Sequence, residues 1–323
     1  MLLGLAFTTG WVAFFFDSAP SRASLIVHAS AGYAAVALSP WKSLIAARAI
    51  QRRRAGWWLS LLLSALVLLS VVAGVLHSTG ILLAVGPIDA MEVHVGAALA
   101  ALPLALWHVA RRWIPVRAAD LSRRSFLRGA TLAAIAGGTY GVSEIVVRLL
   151  RFPGAGRRFT GSYQDGSLDA AALPVTQWLF DPVPQIDPSR WLLAIDAGGL
   201  KRWTYEALLD FDDQVRATLD CTGGFYSTQD WSGVWLSRLL PAAVEGSSIE
   251  VRSATGYTRR FPLAEARTLL LATRLGDLPL EPGHGFPVRL VAPAYRGFWW
   301  VKWVSRITID DTPAWWQLPF PVQ

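Results

Sequence analysis

Five apolar runs crowd the first half of this chain, at roughly 1–16, 24–46, 57–83, 90–110 and 126–147. A helix needs about 20 apolar residues to cross a bilayer. Hydrocarbon offers no water to backbone N–H and C=O groups, so each span must satisfy its own as a helix. The first half is therefore expected to be an all-α transmembrane bundle of about five helices. Residues 160–323 mix apolar and charged positions as a water-facing fold does, so the 323 residues divide into two parts of different kinds. Run one lacks the basic start and small-x-small site of a cleaved signal peptide, and is read as a retained span.

Charge sets the orientation. The net charge is +7, and much of it lies beside the apolar runs, where it serves topology. Nucleic acid is not an expected partner. Arg48, Arg52, Arg53 and Arg54 lie between runs two and three; Arg111, Arg112, Arg117, Arg123, Arg124 and Arg128 lie between runs four and five. Loops rich in Lys and Arg stay in the cytoplasm. Run five then leaves the cytoplasm of an inner membrane, and residues 160–323 lie on the extracytoplasmic side.

The stretch "SRRSFLRG" (122–129), followed by a mildly apolar run, resembles a twin-arginine signal. That resemblance implies export of an already folded, cofactor-loaded domain by the twin-arginine machinery. The expected division is 1–118 as a four-helix membrane domain, 119–152 as the arginine motif with a fifth anchoring span, and 160–323 as an exported domain.

Four of the five histidines, His28, His77, His94 and His108, fall inside the apolar runs. Ionisable side chains within a membrane point to function. His28 and His94 each lie about four residues in from the same face, so they meet at one level on runs two and four, diagonal across a four-helix core. Facing neutral imidazoles are a way to hold a b-type haem iron. Gly32 and Gly96 lie near them and leave room for a flat macrocycle. His77 is near the same end, and either replaces one ligand or donates to a propionate or a quinone. His94 and His108 are about 21 Å apart along one helix, a spacing that resembles the two-haem helices of respiratory cytochromes b. The position matching His108 on run two is Lys42, a poor ligand. One haem is expected, with a second doubtful. No Cys-x-x-Cys-His occurs, so covalent haem is not expected.

The second half reads as an α+β, strand-rich fold without regular βα alternation. Strands are expected at 191–196, 215–221, 257–263, 288–293 and 299–310, and helices at 204–211, 231–240 (capped by Asp230) and 264–275. The single cysteine, Cys221, permits no intramolecular disulfide. Two stretches here, "LDCTGGFYSTQDWSGVWLSRLL" and "HGFPVRLVAPAYRGFWWVKWVSRI", resemble sulfite oxidase-type molybdopterin domains over about residues 185–310. The resemblance implies that Cys221 is the thiolate on molybdenum, and that His284, Arg289 and Lys302 hold the phosphate and polar edge of the pterin. A soft thiolate suits such a metal. Sulfite-oxidising members carry Gly-Asn-Arg-Arg after the cysteine, whereas Thr222, Gly223, Gly224, Phe225 and Tyr226 follow here. An oxyanion favours arginines, so sulfite is disfavoured against an oxidised substrate such as a sulfoxide. The chain ends soon after the second stretch, and the family's immunoglobulin-like dimerisation domain is expected to be missing.

Together these readings imply a membrane-bound molybdenum oxidoreductase. It would exchange an oxygen atom and two electrons with a small molecule, and pass electrons through haem b to or from the quinone pool. The alternative is a transmembrane haem electron carrier whose outer domain is a non-catalytic docking module.

Overall fold

Helices form on each of the five apolar runs: α1 (Leu2–Phe15), α2 (Ala19–Gln51), α3 (Trp57–Thr79), α4 (Ala90–Arg111) and α5 (Arg123–Leu149). This computed structural model describes residues 2–16, 19–51, 56–86, 88–111, 122–177 and 181–318. Four stretches are long and apolar enough to cross a membrane: Pro20–Leu44, Trp57–Thr79, Ala90–Arg111 and Arg123–Leu149. They suit a membrane protein. Helix α1, at 14 residues, is shorter.

The distribution of side chains says the same. Large apolar residues such as Leu68, Leu106, Val142 and Ile145 face outward, while small ones, Ala31, Ala34, Ala73, Ala97 and Ala101, are buried. Small residues inside let helix backbones approach when lipid, not water, lies outside. Helix α1 packs on α2, α3 on α4, and α2 on α5. A short hairpin, β1 (Ala84–Val85) with β2 (Ile88–Asp89), joins α3 to α4. Arg123, Arg124 and Arg128 lie on the first turns of α5, whose N-cap Ser122 accepts the Ser125 N–H, and not in a loop. Arg52, Arg53, Arg54, Arg112 and Arg117 lie outside the described residues.

The chain divides into two units, Met1–Tyr163 and Gln164–Gln323, with the short strand β3 (Tyr163–Gln164) at the division. The second unit is strand-rich. Strands β4 (Leu192–Asp196) and β5 (Leu200–Thr204) precede the short helix α6 (Tyr205–Leu209). Then come β6 (Asp213–Asp220), β7 (Phe225–Trp235) and the single turn α7 (Leu236–Leu239). The rest are β8 (Ser248–Ser253), β9 (Thr258–Pro262), β10 (Leu270–Leu275), β11 (Leu278–Pro279), β12 (Arg289–Val291) and β13 (Val304–Asp310). One sheet runs β5–β4–β13–β8–β9, with only β4 and β13 parallel. Its strands alternate buried and exposed positions, as in Val251, Ile307 and Ile195 against Arg252, Arg306 and Ala194. In the other sheet β10 pairs with β7, β11 and β12, and β7 also pairs with β6.

Two expected helices are strands. Residues 231–235 continue β7, and only 236–239 turn helical. A Cβ on Gly233 would lie 2.0 Å from the Leu271 carbonyl oxygen, so the close approach of β10 settles that stretch as strand. Asp230 caps nothing; it forms a two-pronged pair with Arg216 on the neighbouring strand, both contacts at 2.8 Å. Residues 264–275 begin as a 3-10 turn and become β10. Leu269, Leu270, Leu271 and Ala272 are buried on both faces, and a doubly covered strand loses the alternation that would mark it. The strand expected at 299–310 starts only at Val304, after a 3-10 turn at Gly297–Trp299.

Candidate molybdopterin and haem sites

Cys221 opens the four-residue turn that joins β6 to β7, where Asp220 pairs with Tyr226. Its N–H donates to the Phe225 carbonyl at 2.8 Å, and Gly224, at φ 97°, closes the turn on the Cys221 carbonyl. The Gly223 N–H points at Sγ, 3.4 Å away, and Thr176 Oγ1 is 3.6 Å from it. The Gly223 N–H and the Thr176 hydroxyl orient the sulfur within the turn.

Two cations approach this thiol. Lys302 Nζ donates to the carbonyls of Thr176 and Gly283, both at 2.6 Å, and to Gln177 Oε1 at 3.3 Å. All three of these acceptors are neutral. Burial, and then the charge of Arg289, lower its pKa to about 7, while Cys221 pulls the other way. Arg289 is buried against the rings of Trp231 and Trp300, 5.4 and 5.8 Å from its guanidinium carbon. Burial lowers its pKa to about 10, again against the pull of Cys221. Its Nη1 donates to the His284 carbonyl at 3.2 Å, and its Nε has no hydrogen-bond partner among the described residues.

His284 is buried in the turn before β12, and its Nε2 donates to the Leu173 carbonyl at 3.0 Å. A carbonyl only accepts, so the neutral ring carries its hydrogen on Nε2 and offers Nδ1 as an acceptor. Nδ1 has no hydrogen-bond partner among the described residues and lies 3.7 Å from Glu281. Burial, and the charges of Arg289 and Lys302, hold the ring below the usual histidine range. The set fits an anionic pterin: the buried Arg289 and the half-buried Lys302 for phosphate, an unused guanidinium N–H, and an imidazole acceptor for the ring's polar edge.

Sequence reasoning missed two residues here. Arg296 Nη2 donates to the Cys221 carbonyl at 3.0 Å, and its Nε reaches both the carbonyl and the carboxylate of Asp220 at 3.2 Å. Asp220 is wholly buried. Thr176, on an extended stretch with no motif, touches both the thiol and the lysine.

Residues 180–316 match the family described as the oxidoreductase molybdopterin binding domain. Those residues are similar to a molybdopterin-binding oxidoreductase domain. The chain is 29% identical over 181 residues to the mitochondrial sulfite oxidase of Rattus norvegicus, covering 42% of this chain and 32% of that protein. It is 30% identical over 172 residues to the inducible nitrate reductase (NADH) 1 of Glycine max, covering 40% and 19%. Among solved structures, the sulfane dehydrogenase SoxCD of Paracoccus pantotrophus shares 27% identity at a TM-score of 0.38, over 40% of each chain. The chain spans about a third of the length of the sulfite oxidases it matches.

In the first unit, the rings of His28 and His94 stand 5.6 Å apart, edge to face. His28 Nδ1 donates to the Ala6 carbonyl on α1, and His94 Nδ1 to the Ser70 carbonyl on α3, each at 2.7 Å. A carbonyl on one ring nitrogen fixes the tautomer and leaves Nε2 for a metal. Each ring rests on a glycine: a Cβ on Gly10 would lie 2.7 Å from His28 Nδ1, and one on Gly74 2.8 Å from His94 Nδ1. Beside Gly32 and Gly96 there is open space. The pair fits axial ligation. His108 lies 3.4 Å from Ser60 Oγ, and Lys42 is exposed. His77 is buried and hydrogen-bonds to the Gly161 carbonyl.

Proposed function

We propose that the chain is a membrane-anchored molybdenum oxidoreductase in which a haem-b bundle serves an extracytoplasmic molybdopterin domain. The observation that carries this reading is the chain's one thiol, held at a hairpin tip near the buried Arg289 and the half-buried Lys302. When bound, the molybdenum supplies two-electron oxygen-atom exchange. The protein's own part is to orient Sγ with the Gly223 N–H, and to hold the pterin with Arg289, Lys302 and His284. His28 and His94 hold one haem b through Nε2. Lys42, at the position that would have to face His108, is an exposed lysine and a poor iron ligand, which favours a single haem.

The bundle would occupy residues 1–118, the arginine motif and anchor 119–152, and the catalytic domain 160–323. Orientation by positive charge and export by the twin-arginine machinery would place the catalytic domain outside an inner membrane. Electrons would pass singly between the haem and the quinone pool. No cation follows Cys221 in its turn, which favours quinol-driven reduction of an oxidised small molecule such as a sulfoxide. The likeness to rat sulfite oxidase favours the opposite direction, oxidation of sulfite.

Metal and pyridine haemochrome analysis of the purified full chain tests the reading. Molybdenum and haem b, each near one per chain, are expected. Haem without molybdenum would instead support the electron carrier with a non-catalytic docking domain. Haem redox spectra under a panel of sulfoxides and sulfite then give the direction of flow.

A further inference from the structure

On α3, Gly74 faces the His94 ring, and His77 lies three residues further toward the helix end, about 4.5 Å along the axis. His77 Nε2 is 2.9 Å from the Gly161 carbonyl. Nε2 therefore carries the hydrogen, and Nδ1 of the neutral ring is a lone pair. That lone pair is buried, has no hydrogen-bond partner among the described residues, and faces Asp89 Oδ1 at 3.9 Å. Two acceptors turned toward each other call for a donor between them. The Asp89 side chain is 32% exposed, so the gap is approachable from its side. Asp89 Oδ1 already accepts the Met91 N–H at 2.6 Å, which holds the carboxylate in place and leaves it a lone pair for a second donor.

The surroundings narrow the choice of donor. Asp89 is the only charged residue in the α3–α4 connection, residues 80–89. Ile81, Leu82, Val85 and Ile88 of that connection are all exposed. A bridging water would fill the gap but gives no reason for an apolar rim at the end of a spanning helix. A lipophilic molecule with a hydroxyl head accounts for both.

We propose that His77 Nδ1 and Asp89 Oδ1 form the head-group site of a membrane quinol, with its hydroxyl between them and its tail along the Ile81–Ile88 hairpin. This rests on the reading of the bundle as a haem-b carrier, and adds to it the place where the quinol binds. One quinol would give one quinone, two protons and two electrons. The bound hydroxyl's proton would pass to His77 Nδ1 or the Asp89 carboxylate and the opposite hydroxyl's to water. A haem b held by His28 and His94 would take the electrons one at a time, handing the first on to the molybdenum centre before accepting the second.

The test uses the full chain in lipid nanodiscs and a decyl-tailed benzoquinol as probe, with binding followed by tryptophan quenching and haem state by absorbance. Asp89→Asn places its own amide donor against His77, and His77→Gln keeps the donation to Gly161. Each should weaken probe binding about tenfold, the loss expected when a buried hydrogen-bonding partner is removed. The haem spectrum and full reduction by dithionite should be unchanged. Ile88→Ser should weaken the tailed probe and leave tail-free benzoquinol unaffected. Unchanged binding in both polar variants overturns the site. So does a haem-loaded wild-type chain that binds no probe, a result that leaves the haem–molybdopterin reading standing. A purified chain without haem is the separate failure of that reading, and the binding comparison still decides the site.

Discussion

Replacing Arg296 with alanine should loosen the Cys221 turn and the domain around it. Asp220 has a fully buried side chain and Arg296 one that is 6% exposed, with 3.2 Å between their charged groups. Removing one member of a buried pair costs about 3–5 kcal/mol, because the other is left charged without compensation. For a unit of this size that corresponds to a fall of about 6–20 °C in unfolding temperature. The chain's single thiol makes the assay local: Cys221 is half-buried, and a maleimide should label it faster as its own turn opens on heating. Arg296→Met combined with Asp220→Asn removes both charges and should recover most of the lost temperature. The double variant still leaves the Cys221 carbonyl without its guanidinium donor, so labelling in the cold should remain faster than wild type. If Arg296→Ala costs less than about 2 °C, or the double variant is no better than the single, the argument from a buried pair is wrong.

Cys221→Ser should export and keep its haem, but lose turnover, since a hydroxyl is a poor substitute for a thiolate on a soft metal; full activity would remove Cys221 from the metal. His28→Ala or His94→Ala should abolish the low-spin b-type spectrum and His108→Ala should spare it; a normal spectrum without His94 would break the pairing. Arg123→Lys with Arg124→Lys keeps the charge that sets orientation, so protease protection of the catalytic domain in that variant, with the haem bundle inserted, would mark the arginines as an export address; an exported active domain would reduce them to topology. Lys302 is held at about 7, below its ordinary 10.5. Between those values the unfolded chain holds a proton that the folded chain lacks, so the cofactor-free protein should gain stability as pH rises through that window. Affinity for an anionic pterin should fall over the same climb, and Lys302→Arg should flatten that fall; pH-dependent cofactor release measures it.

The contrast between the halves was legible because an apolar run of bilayer length has few folds open to it. Cys221, His284, Arg289 and Lys302 were named from two motifs, and the structure places the thiol within electrostatic reach of both cations. Arg296 lay in the same quoted stretch and was passed over, because its partners include the backbone carbonyls of Asp220 and Cys221, which residue type does not display. Thr176 is 45 residues from the cysteine it touches, with nothing local to mark it. The misassigned strand at 231–235 has a related cause: the feature that decides it is the backbone of β10 against Gly233, a contact across the sheet. For Leu269–Ala272, burial on both faces erased the period that tells strand from helix.

Helix α1 is too short to compete as an anchor, yet its Ala6 carbonyl is what holds the His28 ring by Nδ1, and Gly10 is the floor on which that ring lies. Its worth therefore lies in the tautomer it imposes and not in hydrophobic thickness. A leader peptidase acting between α1 and α2 would leave the longer spans untouched and still free the imidazole to rotate. Proteolytic maturation at that point and a His28-ligated haem are for this reason mutually exclusive fates of the same polypeptide. Lengthening α1 with apolar residues at its start should matter little, whereas a methyl group on Gly10 would press on the ring itself.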